Sequence, residues 1–312
     1  MRIAMIGAGG IARRHLDVLS AEPEVEVVGH VARTRASAER QAAVAGGRAY
    51  DDVATLLAAE TPDAAIVTVP PDAHGDRERA LIEARVPYLV EKPLSADRAP
   101  GERLAEEALA ARLPVAVGYH WRALDTLPEV RSRLDEAPVR MVLGAWHDVI
   151  PGPDWWRVRA RSGGQMVEQA THLVDLARHL VGEPSLLAAQ GTVPDEPLLP
   201  GADVADASAA LLRFPGGVPG VMTATCALGG RAWVRLELVC RGLHVLVDQD
   251  AVRYDDGREV REVRTGADPF AIQDRAFLDA VRSGDPSRVL CGLEDALTAH
   301  RLTHDILETL AG

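Results

Sequence analysis

Residues 1–118 alternate short apolar runs with stretches at helical spacing, the pattern of a parallel sheet covered by helices. Strands are predicted over residues 2–6, 25–31, 64–69, 88–90 and 115–117. Helices are predicted between them, over residues 10–20, 36–45, 51–59, 75–84 and 99–111. In the first helix Ile11, His15, Leu16 and Leu19 are expected on one side. After Gly118 the pattern changes. Residues 124–134 and 165–180 read as helices, and the rest is rich in strands joined by turns: 139–149, 186–192, 207–214, 220–227, 234–240, 244–247, 252–254 and 259–264. In one of these, Val234, Leu236, Leu238 and Cys240 alternate with Arg235 and Glu237, which gives one buried and one wetter face. Two helices, over residues 270–283 and 293–310, close the chain. The expected fold class is α/β. A doubly wound parallel (Rossmann) sheet occupies residues 1–120, and an α/β domain with an open, mostly antiparallel sheet occupies residues 121–312.

Composition narrows the function more than the fold. The 312 residues are 47% hydrophobic and 26% charged, which suits a globular core and excludes a disordered chain. A net charge of −12 without a basic patch excludes nucleic acid as a partner. No apolar run reaches the ~18 residues of a membrane helix, so no membrane role is expected. Cys226, Cys240 and Cys291 are widely spaced and form neither a metal motif nor a disulfide framework. With the first strand beginning at Arg2, they fit a cytoplasmic address. His300 and His304 lie four residues apart without a third ligand and are expected to be exposed, so no metal is expected.

The chain has no Asn, and Lys92 is the only lysine among 34 basic residues. Missing Asn and Lys together point to a codon bias, so the arginines are not themselves functional evidence. The surviving lysine is. An ammonium is compact and its pKa can be moved, whereas a guanidinium stays charged. Lys92 also sits at the end of a strand, where ligands bind in open α/β sheets.

Gly7-Ala8-Gly9-Gly10-Ile11-Ala12 follows the first strand and opens the first helix, the Gly-x-Gly-x-x-Ala form of the dinucleotide fingerprint. Gly7 permits the tight turn, Gly9 lets backbone approach a pyrophosphate, and Ala12 allows close packing of helix on strand. At the end of the second strand, the slot that holds Asp or Glu in NAD enzymes holds Ala32, followed by Arg33-Thr34-Arg35. NADP is therefore favoured over NAD, the alternative being that Arg33 and Arg35 are ordinary solvated arginines.

Four motifs occur in a familiar order: the fingerprint at 7–12, Val69-Pro70-Pro71-Asp72-Ala73-His74, Glu91-Lys92-Pro93, and a helix bearing Glu168, His172 and Asp175. Together they resemble the glucose-fructose oxidoreductase, inositol dehydrogenase and rhizopine-catabolism (Gfo/Idh/MocA) family over nearly the whole chain. The resemblance implies an NAD- or NADP-dependent oxidation or reduction of a secondary alcohol or ketone on a sugar, polyol or keto-sugar. It also implies a homodimer or homotetramer joined through the open sheet face. It adds Val69, Pro70, His74 and Glu91 to the expected cofactor contacts. The helix motif departs from Asp-x-Gly-x-His-x-x-Asp, with Glu168 for the first Asp and Ala170 for Gly, and Pro71 replaces the usual Asn.

Hydride transfer at an alcohol carbon needs a proton acceptor and a charge that steadies the developing alkoxide. Lys92 is assigned the second role and His172 the first, with Glu168 either orienting the imidazole or binding a substrate hydroxyl. Asp175 is expected to be structural, pairing with an arginine or capping nearby backbone. Substrate contacts are expected from Tyr119 and Arg122, from Asp148, and from Trp155 and Trp156, which either face a sugar or pack a loop beneath it. Two other readings use the same residues: a glycoside-modifying enzyme that uses the cofactor transiently, and a redox-silent NADP-binding protein.

Overall fold

The structure, a computed structural model, describes residues 1–192 and 200–310. It divides into two compact units. The first contains residues 1–95, 99–119 and 269–297, and the second contains residues 96–98, 120–268 and the chain from 298 onward.

The first unit alternates β1 (Arg2–Ile6), α1 (Gly10–Ser20), β2 (Glu26–Val31), α2 (Arg35–Ala45), β3 (Arg48–Tyr50), α3 (Val53–Glu60), β4 (Ala64–Val67), α4 (Asp76–Glu83), β5 (Tyr88–Val90), α5 (Arg98–Ala110) and β6 (Val115–Val117). Its sheet runs β3-β2-β1-β4-β5-β6 with every neighbouring pair parallel. Because β4 is covered on both faces, all four of its residues are apolar and buried. The strand order reverses between β1 and β4, and all strands end on the same edge. The segments after β1, β4 and β5 therefore emerge side by side at the switch point. Three-residue β3 is too short to show alternation and was not expected. β4 ends two residues before the predicted 69, because Thr68 N–H donates to Ile6 O at 2.7 Å and the chain then turns away. On α1 the buried stripe is Ala12, His15, Val18 and Leu19, while Ile11 faces outward.

The second unit contains α6 (Leu127–Glu136), β7 (Val139–His147), α7 (Arg159–Ser162), α8 (Gln165–Glu168), α9 (Thr171–Val181), β8 (Ser185–Thr192), β9 (Ala207–Phe214), β10 (Val218–Thr225), β11 (Trp233–Cys240), β12 (Leu243–Val247), β13 (Ala251–Asp255) and β14 (Val260–Arg264). They build an eight-stranded sheet in the order β14-β13-β12-β11-β7-β10-β9-β8. Only the β7–β10 pair is parallel, so the sheet is mostly antiparallel, as expected. The alternation in β11 holds: Val234, Leu236, Leu238 and Cys240 are buried. They share one core with Leu173, Val174 and Ala177 of α9. The single helix predicted over 165–180 is a break instead. Ala170 N–H reaches back five residues to Gln165 O, and α9 starts anew at Thr171.

The last helices are α10 (Pro269–Ser283) and α11 (Leu293–Leu310). Phe277 and Leu278 of α10 pack with Ile3, Leu19 and Leu89, so this helix belongs to the first unit. The two units are therefore not the consecutive stretches 1–120 and 121–312. An amphipathic helix carries no mark of which sheet it will cover. Among the described residues no helix is long and apolar enough to cross a membrane.

Candidate active site

In the first unit Gly7 has φ +117°, and a methyl there would lie 2.5 Å from Thr68 O, so only glycine serves. Gly9 caps α1 with extended backbone, no side chain caps the helix, and its first turn has no acid. A Cβ on Gly9 or Gly10 would meet nothing within 4 Å. Uncapped N–H groups, open space and no repelling carboxylate together fit a dinucleotide pyrophosphate. Ala12 is buried, as close packing of α1 on the sheet requires.

After β2, Thr34 is the N-cap of α2 and accepts from Ser37 N–H at 3.2 Å. Its Oγ1 lies 2.8 Å from Ser37 Oγ, which also accepts from Arg40 Nη2 at 2.9 Å. Arg33 is exposed beside them. Arg35 is instead tied to Glu39 and Asp51, at 3.1 and 3.3 Å. Ser37 and Arg40 were not singled out in the sequence; their spacing of three and six from Thr34 on one helix was the available signal.

After β4, Val69 and Pro70 are half-buried. His74, expected at the cofactor, has its side chain enclosed: Nδ1 donates to Glu78 Oε1 at 2.6 Å. Glu78 also accepts from Gly75 N–H at 2.7 Å. Burial would raise the Glu78 carboxyl, but His74 and Gly75 outweigh it and hold it below the usual range. His74 thus shapes its own loop. After β5, Glu91 is buried, and from Tyr88 to Ala96 Lys92 is the one residue that is not. Tyr119 is 2% exposed and its N–H donates to Val117 O, so it belongs to the interior.

In the second unit His172 lies in the first turn of α9, 3% exposed, between two rings. Trp146 stacks on it at 5.9 Å and 20°, and His120 meets it edge-on at 4.6 Å. The amide nitrogen of Gln249, in the β12–β13 turn, donates to His120 Nε2 at 3.1 Å. Alternation along β7 puts Trp146 on the helix-facing side with Val142 and Gly144, and turns His147 toward Trp233. Glu168 precedes the break and accepts from Trp156 Nε1 at 2.8 Å. It therefore does not share a continuous helix face with His172.

Several expected substrate contacts are placed otherwise. Arg122 donates from Nε and Nη2 to Asp175, both at 2.7 Å, with the two side chains almost wholly buried. Asp175 is thus paired with an arginine as expected, and that arginine is Arg122. Trp156 is fully buried with Val204 and Cys226, and Trp155 packs against this cluster. Asp148 is half-buried and its Oδ1 accepts from Val149 N–H. His300 and His304 are buried, with rings 4.3 Å apart, and among the described residues no group of side chains could hold a metal ion.

Comparison with known proteins agrees with this fold. Residues 1–119 match the family described as "Oxidoreductase family, NAD-binding Rossmann fold", and residues 138–242 match the GFO/IDH/MocA C-terminal domain. Myo-inositol dehydrogenase Hyg17 of Streptomyces leeuwenhoekii is 30% identical over 231 residues, 72% of this chain and 69% of its own. Myo-inositol 2-dehydrogenase of Thermotoga maritima is 28% identical over 71% of this chain and 67% of its own. The fold matches the 3-ketoreductase KijD10 of Actinomadura kijaniata, in complex with NADP and TDP-benzene, with a TM-score of 0.86 at 24% identity, over 99% of this chain and 97% of that one. A levoglucosan dehydrogenase in complex with NADH and levoglucosan matches with a TM-score of 0.88 at 19% identity, over 100% and 97%.

Proposed function

The chain belongs to the GFO/IDH/MocA family of NAD-binding oxidoreductases, and from that premise we propose that it prefers NADP and acts on a secondary alcohol or ketone of a sugar, polyol or keto-sugar. The observation that carries the proposal is the edge of the first sheet. There the glycine turn, the 68–74 loop and the segment holding the only lysine emerge side by side at the switch point.

When bound, the nicotinamide supplies or accepts the hydride. The Lys92 ammonium hydrogen-bonds the reacting oxygen and lowers the pKa of the hydroxyl. His172 takes the hydroxyl proton in oxidation and returns it in reduction. Trp146 and His120 hold its ring from two sides, which limits its orientation. Glu168, held by Trp156, faces substrate hydroxyls or steadies the base. Arg33, Thr34, Ser37 and Arg40 support NADP, since they offer two guanidinium groups and two hydroxyls with no carboxylate in the first turn of α2.

A homodimer or homotetramer is supported by the outer face of the second sheet, where Leu211, Val221 and Leu143 lie in register across β9, β10 and β7. Leu211 is 42% exposed, and nearby Met141 is also exposed. A cytoplasmic site of action fits the three buried free thiols.

The test is a nicotinamide-absorbance screen of NADP and NAD against sugars, polyols and their keto forms. A net absorbance change, larger with NADP, is expected. Substrate consumed without a net change, or no turnover with any of the panel, overturns the reading; a faster rate with NAD overturns the NADP preference alone.

A further inference from the structure

The first unit holds a buried three-residue titratable cluster that the proposed chemistry leaves unused. His15 of α1 is fully buried between carboxylates from two other elements. Its Nδ1 donates to Asp274 of α10, 2.8 Å from Oδ2, and its Nε2 donates to Glu91 Oε1 at 3.2 Å. Asp274 is itself fully buried. Phe270 packs edge-on against the imidazole at 5.5 Å, and the Arg14 guanidinium lies over the Phe270 ring. Two carboxylates in a dry space require a cation, and an imidazolium with both N–H groups engaged satisfies them together. Burial alone would lower the His15 pKa, but Asp274 and Glu91 prevail and raise it to about 10.

Glu91 is also confined by its own sheet. Its N–H donates to Val67 O at 2.9 Å, and a methyl on Gly118 would lie 2.3 Å from its Oε1. The next residue is Lys92. A catalytic group works only when held within about 0.5 Å of its productive position, and that demands support from the residues behind it. We propose that His15 is a positioning residue for Lys92: by joining Glu91 to Asp274 it fixes the Glu91-Lys92 turn to the helix that follows the glycine fingerprint. The inference rests on the role proposed for Lys92. It links the returning helix α10, which bears no part of the expected site, to the placement of the ammonium.

Because the chain has one lysine, protein labelled with carbon-13 lysine gives a single lysine side-chain signal, from Lys92. His15→Ala is expected to move that signal and to lower kcat about tenfold or more while the dinucleotide KM stays within about twofold. His15→Gln, which keeps a donor toward one carboxylate, recovers part of the loss. In a Lys92→Ala background, His15→Ala costs nothing further, because the group it positions is gone. An unchanged lysine signal in His15→Ala, or an equal fold-loss with and without Lys92, overturns the proposal. Should His15→Ala not fold, Asp274→Asn keeps the side-chain volume and takes its place with the same readouts. Full turnover in Lys92→Ala overturns the function assigned to Lys92, while the lysine signal still decides whether His15 sets its surroundings.

Discussion

Replacing Asp175 with Ala takes away the carboxylate that Arg122 and Arg178 share inside the second unit. Both arginine side chains are at most 2% exposed. Arg122 loses two charge-assisted bonds of 2.7 Å, whereas Arg178 loses a 3.4 Å contact and keeps Glu183. Removing one partner of a buried pair costs about 3–5 kcal/mol, since the other charge stays in a dry site. With one cation losing both of its 2.7 Å bonds to Asp175 and the other keeping Glu183, about 4 kcal/mol is the expected loss. At about 2–4 °C per kcal/mol for a unit of this size, Tm should fall by about 8–16 °C. Differential scanning calorimetry reads this directly. The double variant Arg122→Met, Asp175→Leu removes both charges and fills similar volume, so it should regain at least half of the loss. An Asp175→Ala protein that melts within about 2 °C of the parent would refute the reasoning. So would a double variant as unstable as the sum of the singles. Arg122→Met alone also separates two roles. A lowered Tm supports the interior ion pair, and a raised substrate KM at unchanged Tm would return Arg122 to the substrate.

Three further outcomes are expected. Gly7→Ala should abolish dinucleotide binding in calorimetric titration, because its methyl would lie 2.5 Å from the Thr68 carbonyl oxygen; retained affinity would mean the turn is not the pyrophosphate site. Trp156→Phe removes the donor that holds Glu168 while keeping the packing, so kcat should fall about 3- to 10-fold with Tm lowered by only a few degrees. His15 is raised to about 10 in the folded chain, above the ordinary histidine value, so its contribution is complete below about pH 6.5 and is lost as pH climbs through about 10. The urea midpoint of the parent should therefore drop toward that of His15→Gln between about pH 7.5 and pH 10, and parallel curves would contradict the doubly paired imidazolium.

Much of the fold was legible because it follows from local pattern. The apolar run of β4, the alternation in β11 and the strand–glycine–helix sequence of β1 and α1 each report their own surroundings over a few residues. Lys92 stands out in the sequence for a different reason, its rarity. The structure adds that it is the one residue not buried in its segment. Where a property depended on contacts distant along the chain, the pattern misled. Glu168, His172 and Asp175 have helical spacing, yet the break at Gln169–Ala170 separates the first from the other two. Arg122 was read as a substrate group because it sits near the end of the parallel-sheet region. Its partner lies 53 residues away.

The order of elements, the fingerprint, and the division into a parallel and a mostly antiparallel sheet were written in the amino-acid sequence. Backbone geometry and the period of apolar residues act over one turn or one strand, and these features need nothing longer. Tertiary structure alone decided which charges face each other. It closed His15 between Asp274 and Glu91, paired Arg122 with Asp175, and set Trp146 and His120 around His172. A period shows which side of a helix is buried but not what it is buried against, and the state of an ionisable side chain depends on that neighbour.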